Sequence, residues 1–342
     1  MLGVHYGYLD GWRGLAIALL LIGHFFPVPG INLGNFGVNL FFVLSGLLMS
    51  RLLFVQETPL AVFYKRRLSR IFPAHFAFLA LIVLSYLALG LPVDGPETFN
   101  AALFVNNYFP GELGHPEMPF GHIWSLSVEE HSYVVLSAIA LLARRGVCRP
   151  GLVIGAACIA SVATGIGYWM HYSDKELYGH WLRTEVAGYG IFASALCMLW
   201  FERRGVPRLS WLAYPALAFA ALALQWWSVP GPAQTFIGVA LLALLVNLLQ
   251  QAPAFIKNVL SLAPLRKLGL WSFSVYVWQQ PFYLLVNRSG LRDWVGCLLA
   301  LGCGALSFYL IENPARSYLN RVWARESDTS GRTPVPAASR VS

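Results

Sequence analysis

Two short stretches carry the side chains best able to move a proton. Residues 8–24 place Asp10, Arg13 and His24 in an otherwise apolar run. Asp10 and Arg13 are three apart, the spacing of an ion pair on one helix face. Arg13 and His24 are eleven apart, close to three helical turns, so they share a face about 16 Å apart along the axis. Residues 122–133 read His-Ile-Trp-Ser-Leu-Ser-Val-Glu-Glu-His-Ser-Tyr, which clusters Glu129, Glu130 and His131. Adjacent carboxylates point about 100° apart on a helix, so one of the two is expected to face a shared cavity. Glu130 would lie about 12 Å along its helix, at a depth comparable to His24. A carboxylate there could orient the imidazole as a general base or poise it as an acid. A purely structural role, an interfacial ion pair with an interhelical clamp, stays open. A metal reading of His122 and His131 lacks any HExxH-type spacing.

Three further segments hold polar groups where chemistry is possible. Residues 63–73 place Arg66 beside Arg67, with Arg70 one turn on. Guanidinium forks bind phosphate bidentately, although arginines at a membrane surface also serve as plain anchors. Residues 37–46 put Asn39 and Ser45 in an apolar run. Asn39 could hydrogen-bond inside a cavity, whereas Ser45 lacks the GxSxG elbow of a nucleophile. Residues 274–281 carry Gln279 and Gln280 next to a helix-breaking Pro281, and such freed amides can line a water-filled path. No Walker loop or GxGxxG is present, so a nucleotide fold has no support.

The elements that must position these groups are membrane helices. The 342-residue chain is 57% hydrophobic and only 12% charged, too few charges to cover a soluble protein of this size. About ten runs approach the ~20 residues a spanning helix needs: near 9–27, 36–55, 71–90, 122–142, 151–171, 184–201, 209–227, 235–252, 269–287 and 294–311. With the N-terminus inside, alternate connections collect Lys65, Arg66, Arg67 and Arg70, then Arg144, Arg145 and Arg149, then Arg203, Arg204 and Arg208, then Lys257, Arg266 and Lys267. The connections on the other side hold only Lys175, Arg183, Arg288 and Arg292, and Asp94, Glu97, Glu112, Glu117 and Asp174 fall there too. This asymmetry predicts both termini in the cytoplasm. The net charge of +8 therefore reports topology rather than nucleic-acid binding. The first run is expected to remain as a helix rather than be cleaved as a leader. The five cysteines show no CxxC pair and read as core residues. The proline-bearing connection at 91–121 is expected to shape an external mouth. No internal repeat is visible, which weakens a transporter reading. The expected architecture is an all-α polytopic bundle over residues 1–325, with a disordered cytoplasmic tail at 326–342.

Read together, these segments resemble the acyltransferase-three family of integral membrane O-acyltransferases. The matching stretches, in the family's order, are Leu9–Arg13 with His24, Gly37–Gly46, Arg67–Pro73, Trp124–Glu130, Tyr276–Trp278 and Tyr309–Pro314. The resemblance implies transfer of an acyl group, commonly acetyl, from acyl-CoA to a hydroxyl of a carbohydrate or glycosylated acceptor. It implies Arg13 and His24 as the catalytic pair, Glu130 of the acidic motif in support, and Arg67 and Arg70 for acyl-CoA; to these the residues themselves add Asp10, as the partner of Arg13, and Arg66. Asn39, Glu129, Tyr276 and Gln279 are then candidates to line the acceptor cavity. Acyl-CoA is expected as co-substrate, with no tightly bound cofactor and no metal. The expected location is the bacterial inner membrane. Departures from the family pattern fall at Asn39 for Asp, His131-Ser132 for Gln-Phe, and Gln279 for His. The rival is a transporter or flippase of a lipid-linked sugar with a buried His/Glu proton relay.

Overall fold

The computed structural model describes residues 6–109 and 118–330. Among them the regular structure is helical, apart from one antiparallel bridge between Ile31 and Trp226. In order the helices are α1 (Gly7–Phe25), α2 (Leu33–Ser50), α3 (Leu60–Ala88), α4 (Gly95–Ala102), α5 (Trp124–Arg144), α6 (Pro150–His171), α7 (Asp174–Trp181) and α8 (Thr184–Ala187). They continue as α9 (Tyr189–Arg204), α10 (Ala213–Ala223), α11 (Val239–Leu248), α12 (Ala254–Leu260), α13 (Ala263–Ser289), α14 (Asp293–Ser307) and α15 (Asn313–Ser330). Three wide turns interrupt or extend them: Arg51–Val55 after α2, Ala233–Gly238 before α11, and Phe308–Glu312 between α14 and α15.

Seven helical segments among the described residues are long and apolar enough to cross a membrane: Leu33–Val55, Leu60–Ala88, Gly121–Arg144, Pro150–His171, Thr184–Arg204, Ala233–Gln251 and Asp293–Trp323. The protein is an all-α, polytopic membrane protein. Three of the ten expected runs stand apart from these seven. The run at 209–227 folds as the 11-residue α10, about 16 Å of helix against about 30 Å of hydrocarbon, and ends in turns around Trp226 and Trp227. The other two, α1 and α13, are long but carry charges and amides along their length.

Those two polar helices pack on each other, which is where a membrane protein keeps polar groups away from lipid. Their contact needs glycine. A Cβ at Gly269 would come within 1.9 Å of the Asp10 carbonyl oxygen, and one at Gly14 within 2.0 Å of the Leu265 carbonyl. On its other side α1 packs against α2, pinned where Trp12 Nε1 donates to the Leu40 carbonyl at 2.9 Å. Small residues at such crossings let backbones approach closely.

In the long connection between α3 and α5, Asp94 caps α4 by accepting from the Glu97 amide at 2.7 Å. Residues 110–117, with Pro110, Glu112, Pro116 and Glu117, lie outside the described residues, as do 331–342 of the expected tail. The helix α15 itself runs through Ser330, five residues past the expected boundary at 325.

Candidate active site

A cavity opens between α1, α2, α3, α5 and α13, with about 720 Å³ of space not filled by atoms, counting its mouth. Its polar wall brings together Arg13, Arg67, Arg70, Ser45, Glu129 and Tyr276, residues drawn from all five helices. The rest is apolar, with Phe41, Phe42, Leu48, Met49, Ile71 and Phe273 among the lining. Five of the predicted site residues thus converge on one space.

Arg67 is the hub of its polar side. Nη2 lies 3.0 Å from Glu130 Oε1 and 4.0 Å from Glu129 Oε2. The guanidinium sits 3.6 Å from the ring centroid of Tyr133, and Nη1 faces Met49 Sδ at 3.4 Å. Glu129 also accepts a hydrogen bond from Ser45 Oγ at 2.6 Å. The 100° between adjacent carboxylates is therefore spanned by one cation. This corrects the sequence expectation for Glu130. Glu130 does not reach His24; it is held by Arg67, and Glu129 is the carboxylate on the cavity wall. It also changes the reading of Arg67, whose fork is turned inward to carboxylates rather than presented at the surface.

Arg13 is paired with Asp10 at 3.3 Å, at the predicted spacing. Arg70 lines the cavity beside it, while Arg66 is exposed on the outer side of α3. Asn39 is half-buried on α2 and is not among the lining residues. Tyr276 is buried, donating to the His122 carbonyl at 2.6 Å and accepting from Ser125.

His24 occupies the far end of α1, away from the cavity wall. Its Nδ1 donates to Gln279 Oε1 at 2.7 Å, and Gln279 Nε2 in turn donates to Gln280 Oε1 at 3.2 Å. Gln279 is fully buried, which fixes the amide. The ring stacks on Tyr283, centroids 4.8 Å apart. An imidazole whose Nδ1 carries the proton has a lone pair on Nε2 and can act as a base there. The orienting partner is thus an amide oxygen from α13, met at the last turn of α1, and not a carboxylate from α5.

Other titratable groups sit apart. His131 Nδ1 meets the Thr184 hydroxyl at 2.8 Å, and His122 packs between Phe78 and Tyr276. Among the described residues no three such side chains are placed to hold a metal ion. Three functional candidates were missed from sequence. Tyr133 and Tyr283 carry no signal of their own, because their partners Arg67 and His24 are distant in the chain. Glu312 had a signal: it lies in the Tyr309–Pro314 match. It is buried, accepts from Ser274 Oγ at 2.7 Å, and sits on the wide turn between α14 and α15. Such turns are frequent at functional sites.

The family model for the acyltransferase domain of the acyltransferase-three type matches residues 6–312, nearly the whole chain. The chain belongs to that acyltransferase family. The acyltransferase is 29% identical to the membrane-bound transacylase BcsY of Komagataeibacter xylinus over 336 residues, covering 92% of this chain and 83% of BcsY. It is 25% identical to the peptidoglycan O-acetyltransferase OatA of Listeria monocytogenes over 348 residues, and to the O-acetyltransferase OatA of Staphylococcus aureus over 346. Those matches cover 90% of this chain but only 55% and 57% of the OatA proteins, so the acyltransferase spans just over half their length. No solved structure matches it. As a membrane acyltransferase it is an enzyme.

Proposed function

We propose that the acyltransferase moves an acyl group, acetyl in the simplest case, from acyl-CoA to a hydroxyl of a carbohydrate or glycosylated acceptor. The observation that carries this reading is the His24–Gln279 bond, which holds Nδ1 as donor and frees Nε2 as a base. In this scheme Nε2 takes the proton of the acceptor hydroxyl. The oxygen attacks the thioester carbonyl, the C–S bond breaks, and the CoA thiolate leaves and recovers the proton from His24. The proposed orientation has both termini in the cytoplasm of a bacterium and the chain in its inner membrane, as the arginine distribution favours. Arg70 and the exposed Arg66 then meet the CoA phosphates from the inner side. Arg67, already engaged by Glu129 and Glu130, shapes the wall along which the pantetheine arm passes. Arg13 lies on that wall, about 16 Å along α1 from His24. The peptidoglycan acceptor named for the Listeria monocytogenes relative supports a surface glycan as acceptor. His24→Ala is expected to abolish transfer. Mass spectrometry of surface glycans and secreted glycosides should show acylated species with the wild-type chain, and none with His24→Ala. Unchanged acylation in that variant overturns the scheme.

A further inference from the structure

The cavity between α1, α2, α3, α5 and α13 has two unlike ends. The level of His24 is marked on two of these helices. On α13 it is Gln279, which holds Nδ1. On α2 it is Gly34, where a Cβ would stand 3.1 Å from Nε2. The cavity wall begins one turn away on each. Val38 lies about 6 Å along α2 from Gly34, and Tyr276 about 4.5 Å along α13 from Gln279. From Val38 one stripe of α2, with Phe41, Phe42, Ser45, Leu48 and Met49, follows the cavity for about 16 Å. Charge is gathered at the end away from His24. Arg67 faces Met49 there, Glu129 meets Ser45, and Arg13 is about 16 Å along α1 from His24. The end towards His24 is walled by Val38, Phe41, Phe42, Ser125 and Tyr276, none of them charged. Helical side chains lean towards the N-terminus of their helix, so the two phenylalanine rings of α2 reach back into this end. It is closed. The Tyr276 hydroxyl is tied to the His122 carbonyl and to Ser125. Phe42, only 2% exposed, meets Trp124 at 86°, ring centroids 5.9 Å apart.

We propose that this uncharged end is the acyl pocket of the donor, and that Phe42 restricts it to short chains, acetyl before hexanoyl. The inference rests on the acyl-CoA reading and deepens it, since it names which acyl groups the site takes. The order of groups along the cavity matches the order along an acyl-CoA. Phosphates belong with guanidinium groups, and a hydrocarbon end belongs with rings and a valine. With the thioester drawn to the level of Tyr276, its carbonyl stands one turn from the base. A two-carbon acyl group ends there. A longer chain has to push the Phe42 ring off Trp124, and such overpacking of a filled core is unfavourable.

The test is a binding titration of acetyl-CoA and hexanoyl-CoA on the purified full-length protein in detergent. Wild-type protein should prefer acetyl-CoA by roughly tenfold or more, the scale set by surplus methylenes in a closed pocket. Phe42→Ala should remove most of that preference, chiefly by tightening hexanoyl-CoA. Phe42→Leu keeps more of the packing and should move the ratio the same way by less; it decides alone if Phe42→Ala does not fold. Leu48→Ala, on the same stripe at the charged end, should leave the ratio as it is. A ratio unchanged in the Phe42 variants, or one that shifts in Leu48→Ala instead, overturns the pocket. So does wild-type protein that takes hexanoyl-CoA as readily as acetyl-CoA. If neither thioester binds wild-type protein, the acyl-CoA reading falls and the pocket with it. Binding without the expected ratios overturns the pocket alone.

Discussion

At the scale of single residues, the dominant object is one guanidinium serving two carboxylates. Arg67 bridges Glu129 and Glu130 while stacked on Tyr133, with side-chain exposures of 12%, 15% and 20% for the three charged groups. In such surroundings, removing one partner of a charge cluster costs more than the cluster contributes, because the remaining charges lose their compensation. Arg67→Met is therefore expected to destabilise the protein by about 3–5 kcal/mol, the range for breaking a buried pair. Adding Glu130→Gln to it should restore part of the loss, because one orphaned charge is removed. Thermal unfolding of the purified single and double variants in detergent checks both statements. A single variant as stable as wild type would show the cluster to be better hydrated than its burial indicates. His24 illustrates a different economy: a neutral amide orients its ring, so the imidazole is fixed in direction without a neighbouring negative charge.

At the scale of elements, the crossing of α1 with α13 does the positioning. It delivers Gln279 to His24 at one end and sets Asp10 and Arg13 near the cavity at the other. Gly269 is the test of it. In an isolated helix alanine is favoured over glycine by about 1 kcal/mol. Here the Cβ would overlap the Asp10 carbonyl at 1.9 Å, so Gly269→Ala should destabilise, by about 1–3 kcal/mol for an overpacked site. Gly302, in α14 with open space around its Cβ, is the matching control and should accept alanine without loss. Melting curves of the two variants separate the contributions, and an unharmed Gly269→Ala would mean that the helices can slide apart. The sequence made much of this legible. Periodicity placed Asp10, Arg13 and His24 on one stripe, and the 120s run gave up its acid pair. It could not show that Gln279 and not Glu130 would meet His24, because helix depth alone does not fix which neighbour lies alongside. Nor could it show that α10 would be short: the composition of 209–227 is apolar enough, but 209–212 lie before the helix and the chain turns after Ala223. Glu312 was readable as part of a motif, but its inward aim depends on a wide turn that leaves no trace in hydropathy.

At the scale of the whole molecule, the helical run from Asp293 to Ser330 stands out for its reach. It follows about 57 Å of helix axis at about 1.5 Å per residue, against about 30 Å of hydrocarbon. Its last part lies along α3, beside the arginine-bearing turn: Ser69 Oγ donates to Asn320 Oδ1 at 3.2 Å, and Lys65 lies 5.6 Å from the Trp323 ring. The family match stops at residue 312 and therefore ends before the contacts of α15 with α3 begin. A chain cut after Pro314 should lose stability and weaken acyl-CoA binding, although every matching stretch would still be present. Thermal shift and acetyl-CoA titration of the shortened protein test this, and full retention of both would make α15 a passive extension. If the loss is seen, α15 acts as a splint laid along α3, bracing from behind the helix that carries Arg67 and Arg70 to the cavity wall.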